Sequence, residues 1–311
     1  FEAPDFDVSG WKHIEVPANW QMQGFGHSMF RNIAHPFASD PPQVPERYNP
    51  VGSYRREFEL PTAWEGRRIL LHFEAVKSAA YFWLNGEKLG YNQGGMEPVE
   101  FDVPGLVVPG TNTLAVRVLR YSDGTYLEDQ DMWRLSGIYR DVYLRAAPPV
   151  HVRDIYITTD LDADYRDAVL GLQVEVVNES GEDREGLGVR AHLHRDGDRI
   201  QVERLWGTVP MLRPAQAATV ELSALVRAPA LWSAEQPQLY SLVVELVDRN
   251  GKVVEVVSSR VGFREIEIVD QALLVNGRAV KLNAVNSHVH HPVTGRAMDV
   301  ETMRRDLVLM K

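Results

Sequence analysis

Residues 121–142 bring the carboxylates Asp123, Glu128, Asp129 and Asp131 together with Arg134, Arg140, Trp133 and several tyrosines. A connector of this kind carries too much charge for a core and too many aromatics for a plain solvated loop. Carboxylates interleaved with Trp and Tyr suit a sugar site, with acceptors for hydroxyls and flat apolar faces for the pyranose C–H surface. The same residues also make an acidic turn that pairs with Arg134 and Arg140 and only holds a loop shape. Residue chemistry alone leaves both readings open. A second candidate, Asn286-Ser-His-Val-His-His-Pro292, places His288 and His290 two apart, a spacing that fits a metal if a third ligand and an open position are found. His192 and His194 leave one strand face together, and an exposed face explains them as simply as a metal does.

The elements that must carry these residues are short strands. Residues 11–20 read as a first strand ended at Pro17, and 21–50 as a long irregular loop that holds Asp40-Pro-Pro. Strands follow at 52–60, 68–74, 79–84 with an Asn85-Gly86 hairpin, 113–120 and 142–145. Short strands separated by turn signals, with no helical period between them, indicate a β-sandwich, read here as a jelly roll over 1–146. Pro148-Pro149 marks a boundary. Strands at 152–158, 168–177, 189–194, 219–222 and 240–247, with turns at 178–181, 196–197 and 250–251, then describe an immunoglobulin-like sandwich over 147–266 without the cysteine pair of antibody domains. Trp232 and Tyr240 close its end. After a linker strand at 261–266, residues 273–278 form an Asn-Gly hairpin, 280–285 a strand and 299–310 a helix capped by Asp299. Strand, loop and helix over 267–311 make the first unit of a (β/α)₈ barrel, truncated at Lys311, with His288 where barrels place site residues.

The bulk composition narrows the classes. The chain has 311 residues, 44 % apolar and 24 % charged, with 33 basic against 43 acidic residues and a net charge of −10. That balance argues against nucleic acid or an anionic membrane as a partner. No stretch approaches the roughly 18 apolar residues of a membrane span. The absence of cysteine excludes disulfides and thiolate chemistry and suits a reducing cytoplasm. The start at Phe1 reads as processed or shortened.

The run Glu128-Asp-Gln-Asp-Met-Trp-Arg-Leu-Ser-Gly-Ile-Tyr-Arg-Asp-Val142 resembles the corresponding loop of glycoside hydrolase family 2 β-galactosidases. Val16-Pro-Ala-Asn-Trp-Gln, Asp40-Pro-Pro, Leu231-Trp-Ser and the 286–292 histidine run extend the likeness over the whole chain. The resemblance implies the N-terminal part of a retaining enzyme acting on terminal β-D-galactosides, with Asp131 binding sodium and a galactosyl hydroxyl, His288 binding sugar hydroxyls, and Asp40 standing where the family more often has Asn. It also implies that both catalytic glutamates and most magnesium ligands lie on later barrel strands, so that this chain alone is inactive, and that the full-length protein is a homo-oligomer. Ser287, Val289 and Asn283 depart from the family pattern. A stand-alone carbohydrate-binding fragment, or a β-glucuronidase or β-mannosidase of the same family, are the alternatives.

Overall fold

The computed structural model describes residues 1–31, 35–128, 131–195 and 201–311, the side chains of 31 and 201–203 excepted. Asp129 and the expected turn at 196–197 lie outside the described residues. The chain divides into two compact units, one formed by 1–146 with 285–311 and the other by 147–284. The residues expected to open a barrel are therefore shared between the two, 267–284 with the second and 285–311 with the first.

The first unit holds β1 (Phe30–Arg31), β2 (Val51–Leu60), β3 (Arg68–Phe73), β4 (Val76–Lys77), β5 (Ala79–Leu84), β6 (Glu87–Asn92), β7 (Val99–Asp102) and β8 (Gly110–Leu119). A single helical turn, α1 (Thr125–Glu128), precedes β9 (Met132–Trp133), β10 (Gly137–Ile138) and β11 (Val142–Ala147). A four-stranded antiparallel sheet β2-β8-β5-β6 and a three-stranded sheet β11-β3-β7 supply the core. Phe73, Phe82, Leu71, Leu84, Val116 and Val118 interlock there, all but sealed from solvent. β8 is buried along most of its length because it lies between β2 and β5 in the sheet. The alternation expected over 113–120 shows at its end, where Arg117 sits half-buried between the buried Val116 and Val118. Small pairs, β1 with β9 and β4 with β10, tie the loop regions down.

The second unit contains β12 (Val150–Leu161), β13 (Ala168–Asn178), β14 (Gly188–Arg195), β15 (Gln201–Thr208), β16 (Ala217–Val226), β17 (Tyr240–Val247) and β18 (Val253–Val261). Sheets β12-β13-β16 and β15-β14-β17-β18 enclose Leu170, Leu172, Val174, Val189, Leu193, Leu242, Val244 and Phe263. Strict alternation of buried and open positions along β14 and β17 is the signature of strands with one face in a core. Tyr240 is buried, accepts the Ala230 N–H on its hydroxyl at 2.8 Å and meets Phe263 edge-on. Trp232 carries the Arg264 guanidinium on its ring face. A small sheet of β19 (Ile266–Val269), β20 (Ala272–Val275) and β21 (Arg278–Ala279) follows.

Three expected strands are absent. Residues 11–19 form no strand, and the chain enters a 3-10 turn at Trp20–Gln23; the N–H groups of Ala18 and Trp20 bond across to Ile138 and Ser136 outside any regular ladder. The expected linker strand breaks at 262–265, where Phe263 instead bridges Leu231. Residues 280–285 are irregular, with Leu282 74 % and Val285 71 % exposed. Beyond the Val280 N–H, which bonds the Leu273 carbonyl at 2.9 Å, no strand pairs with these residues among the described ones. The helix forms as expected: α2 (Val300–Met310) starts on Asp299, whose carboxylate accepts the Thr302 N–H at 2.6 Å.

Hydrogen exchange should rank these segments. Amides of β8 and β13 are expected to be protected by at least about a hundredfold over those of 281–287, because protection follows burial and laddered hydrogen bonds. Equal protection in both sets would contradict this structure.

Candidate functional site

Each residue proposed for the site comes from a loop of the first unit, and hydrogen bonds link those loops. Asp40 is exposed on a turn in which its carbonyl accepts the Gln43 N–H at 2.7 Å. Tyr126, on α1, grips that turn: its hydroxyl donates to the Gln43 carbonyl at 2.6 Å and accepts the Asp40 N–H at 3.1 Å. The helical turn is itself seated on buried hydroxyls. Ser78 Oγ lies 2.5 Å from Ser122 Oγ and 3.4 Å from Thr125 Oγ1, and Thr125 Oγ1 accepts the Ser122 N–H.

Asp131 follows this turn with φ 48, a left-handed conformation that Asp tolerates better than most residues. Its side chain is exposed and makes no hydrogen bond or ion pair among the described residues. The reading of Asp131 as only a partner of Arg134 or Arg140 finds no contact behind it among the described residues. The acid that does hold the loop is Glu128. Its Oε1 accepts the Gly95 N–H at 3.2 Å and its Oε2 lies 3.5 Å from Lys77 Nζ.

Downstream of Asp131 the chain pairs with β1 through β9 and then turns under residues 18–21. Gly137 is required at that crossing. Its φ is 123, and a Cβ there would stand 2.9 Å from the Ala18 carbonyl oxygen. Ser136 is buried, with its N–H donated to Gln21 Oε1 at 2.9 Å and its carbonyl accepting from Trp20 N at 3.0 Å.

The histidine run divides into different roles. His288 is exposed. His290 Nδ1 lies 3.1 Å from the His288 carbonyl, and burial pushes its ring below the usual histidine range. A carbonyl facing Nδ1 requires a proton there. His291 Nδ1 accepts the N–H groups of Val293 and Thr294, closing a turn that reciprocal bonds between His291 and Gly295 complete. The Nδ1 atoms of His290 and His291 are thus directed to the backbone, and no group of three or more His, Cys, Asp or Glu that could hold a metal occurs among the described residues. On β14, His192 Nε2 lies 3.4 Å from Glu245, whose carboxylate is already bonded to Arg190 at 2.5 Å. As for sodium, Asp131 offers oxygen ligands of the right hardness, but one carboxylate is a fraction of a shell and the neighbouring Asp129 and Gln130 lie outside the described residues.

Sequence reasoning passed over Lys77, Arg296 and Asn19. Lys77 is only 1 % exposed. Burial first, then the nearby Arg296, push its ammonium down to about 8, while Glu128 draws it back up and Arg134 pushes it further down. Arg296 lies over the Tyr139 ring, and burial lowers its guanidinium as well. A lysine inside the apolar run Ala75-Val-Lys-Ser-Ala-Ala80 was the one available signal. A cleft of about 440 Å³ lies elsewhere, bordered by Trp11, Trp20, Phe25 and Tyr54. Its rings are already occupied: Trp11 packs against Phe1 and Phe6, and Lys12 sits over Phe25.

Three family models match consecutive parts of the chain: the sugar binding domain of glycosyl hydrolases family 2 over 5–148, the family 2 domain over 150–264 and its TIM barrel domain over 266–311. The chain belongs to glycosyl hydrolase family 2. It is 38 % identical to a β-galactosidase of Priestia megaterium over its whole length and 42 % identical to one of Vibrio cholerae over 99 % of it. It spans 30 % of the length of either relative. Among solved structures it resembles a Bacteroides uniformis β-glucuronidase, with a TM-score of 0.83 and 25 % identity over 99 % of this chain and 36 % of that one. Among the described residues no helix is long and apolar enough to cross a membrane.

Lys77 allows a direct test. Its proton is held less tightly in the folded chain than in the unfolded one, so between about pH 8 and 10.5 the unfolded state carries more protons and stability from this site rises with pH. Relative to Lys77→Met, the parent should gain on the order of 2 kcal/mol from pH 7.5 to 10. Denaturant unfolding of both proteins at the two pH values measures it. A constant difference would refute the buried, depressed lysine.

Proposed function

We propose that this chain is the N-terminal portion of a retaining β-galactosidase and that its loops contribute part of the galactosyl subsite. Asp131 is the principal residue. An exposed carboxylate, free of protein partners among the described residues and presented from a loop braced on both sides, is available to accept from sugar hydroxyls and to share an oxygen with sodium. His288 supplies a ring nitrogen to sugar hydroxyls, and Asp40 borders the subsite from the turn held by Tyr126. The single observation that carries this reading is the unengaged Asp131 carboxylate within a loop whose other acid, Glu128, is committed to Lys77 and Gly95.

Retaining glycosidases place two carboxyl groups roughly 5–5.5 Å apart across the scissile bond. In this proposal the complete enzyme takes that pair, and most of its magnesium ligands, from barrel strands beyond residue 311. It works as a homo-oligomer in the cytoplasm. The identity of 38–43 % to proteins named β-galactosidase, against 25 % to a β-glucuronidase, favours the galactoside over the glucuronide. The reaction steps belong to that pair. Residues of this chain bind and orient the non-reducing sugar.

The 311-residue chain should show no turnover of a chromogenic β-galactoside above a buffer blank; activity that survives repurification would overturn the division of labour. In the complete enzyme, Asp131→Asn should lose about 2–4 kcal/mol of transition-state binding, a fall of roughly 30- to 1,000-fold in kcat/KM. Its Tm should stay near that of the parent, since the carboxylate holds nothing in the fold. Unchanged kinetics and unchanged sodium dependence in folded Asp131→Asn would end the assignment.

A further inference from the structure

We propose that Asn19 is a positioning residue of the sugar subsite: its buried side-chain amide ties the loop that carries Asp131 to the loop that carries His288. The inference rests on the galactosyl reading for its function, while its structural half stands without it. Asn19 has no solvent exposure. Its Nδ2 donates to the Ser136 carbonyl at 3.4 Å, five residues beyond Asp131. Its Oδ1 accepts the Arg296 N–H at 2.8 Å, eight residues beyond His288. Donor and acceptor ends of one amide thus reach segments 160 residues apart in sequence (296 minus 136). Only one orientation of the amide satisfies both bonds, so the network itself selects it.

The opposite wall of this junction is equally specific. Gly295 has φ +70, and a Cβ there would meet Asn19 Oδ1 at 2.7 Å and Leu135 Cδ1 at 2.8 Å. The turn at 291–295 therefore closes directly against both Asn19 and the Asp131 loop, with no room for a side chain. Arg296 then lays its guanidinium over Tyr139, four residues along from Leu135 in that same loop. Asn19 in turn is held by its own neighbours. Trp20 N–H donates to the Ser136 carbonyl that Asn19 also uses, and Gln21 accepts from the Ser136 N–H. Two exposed sugar-facing residues on separate loops need a common anchor if their geometry is to be fixed before the sugar arrives, because ordering them on binding would cost affinity. A buried amide with one bond to each loop is such an anchor. Asn19 does not touch the sugar; it acts through Asp131 and His288.

The test uses Asn19→Leu, which keeps the branched shape and removes both bonds; Asn19→Asp, which keeps the acceptor for Arg296 and loses the donor; and Gly295→Ala, which attacks the contact from the other side. In the 311-residue chain, hydrogen exchange at the Arg296 amide should speed up at least tenfold in Asn19→Leu and Gly295→Ala, with β8 unaffected, and Asn19→Asp should fall between. In the complete enzyme, KM for a chromogenic β-galactoside should rise at least tenfold in Asn19→Leu while kcat changes less than threefold, with partial recovery in Asn19→Asp. Combining Asn19→Leu with Gly295→Ala should add little, since both break one contact. Unchanged exchange at Arg296 in any folded variant would remove the tie. Faster exchange with parental KM would show that the tie does not serve the site. If Asn19→Leu fails to fold, Gly295→Ala and Asn19→Asp decide by the same criteria. A parent enzyme that binds no galactoside would end the sugar reading instead, and leave the exchange result standing.

Discussion

Peptide groups taken out of water must find partners, and at the loop end of the first unit they must do so without a ladder. Residues 18–21 cross residues 136–138 there, and most of the polar groups meet specific mates: Ala18 N–H with Ile138, Trp20 N–H and the Asn19 amide with Ser136, and Ser136 N–H with Gln21. An orphaned group at such a place costs about 1–3 kcal/mol, so few arrangements of these loops are open to the chain. The crossing sets where Asp131 emerges, how Gly137 must turn, and where the 291–295 turn lands. The segments that carry Asp131 and His288 are both tied to it.

Charge is distributed by the same logic. Lys77, Glu128, Arg134 and Arg296 lie buried or half-buried. Burial raises the free energy of charging Lys77, and the nearby Arg296 and Arg134 raise it further. Glu128 offsets part of this and at the same time holds Gly95. These groups brace. Asp131, Asp40 and His288 stay at the surface, where their lone pairs are available to a ligand. Bracing charge and binding charge are carried by different residues of the same loops.

The second unit shows the opposite economy. Its strands alternate in register, its core is aliphatic, and its hydrogen bonds run in ladders from β12 to β18. No residue of it was singled out for the sugar site.

Much of this was written in the chain itself. Period-two patterns in β8, β13, β14 and β17, the nearly continuous apolar run of β5 and the Asn85-Gly86 turn identify strands because burial on one face, or on both, selects side chains locally. The Asp299 cap and the spacing of Met303, Leu307 and Met310 identify α2 in the same way. The motif around Asp131 carried the family. Other features have no local signature. Residues 11–19 and 280–285 look like strands by composition, yet a strand exists only if a partner offers its backbone, and composition says nothing of partners. The short β6, β7, β15 and β18 were missed for the converse reason: their partners make them strands. Lys77 and Asn19 are ordinary polar residues until the fold encloses them. Whether Asn19 ends a strand or joins two loops depends on groups more than a hundred residues away, and only the tertiary structure brings those within hydrogen-bonding distance.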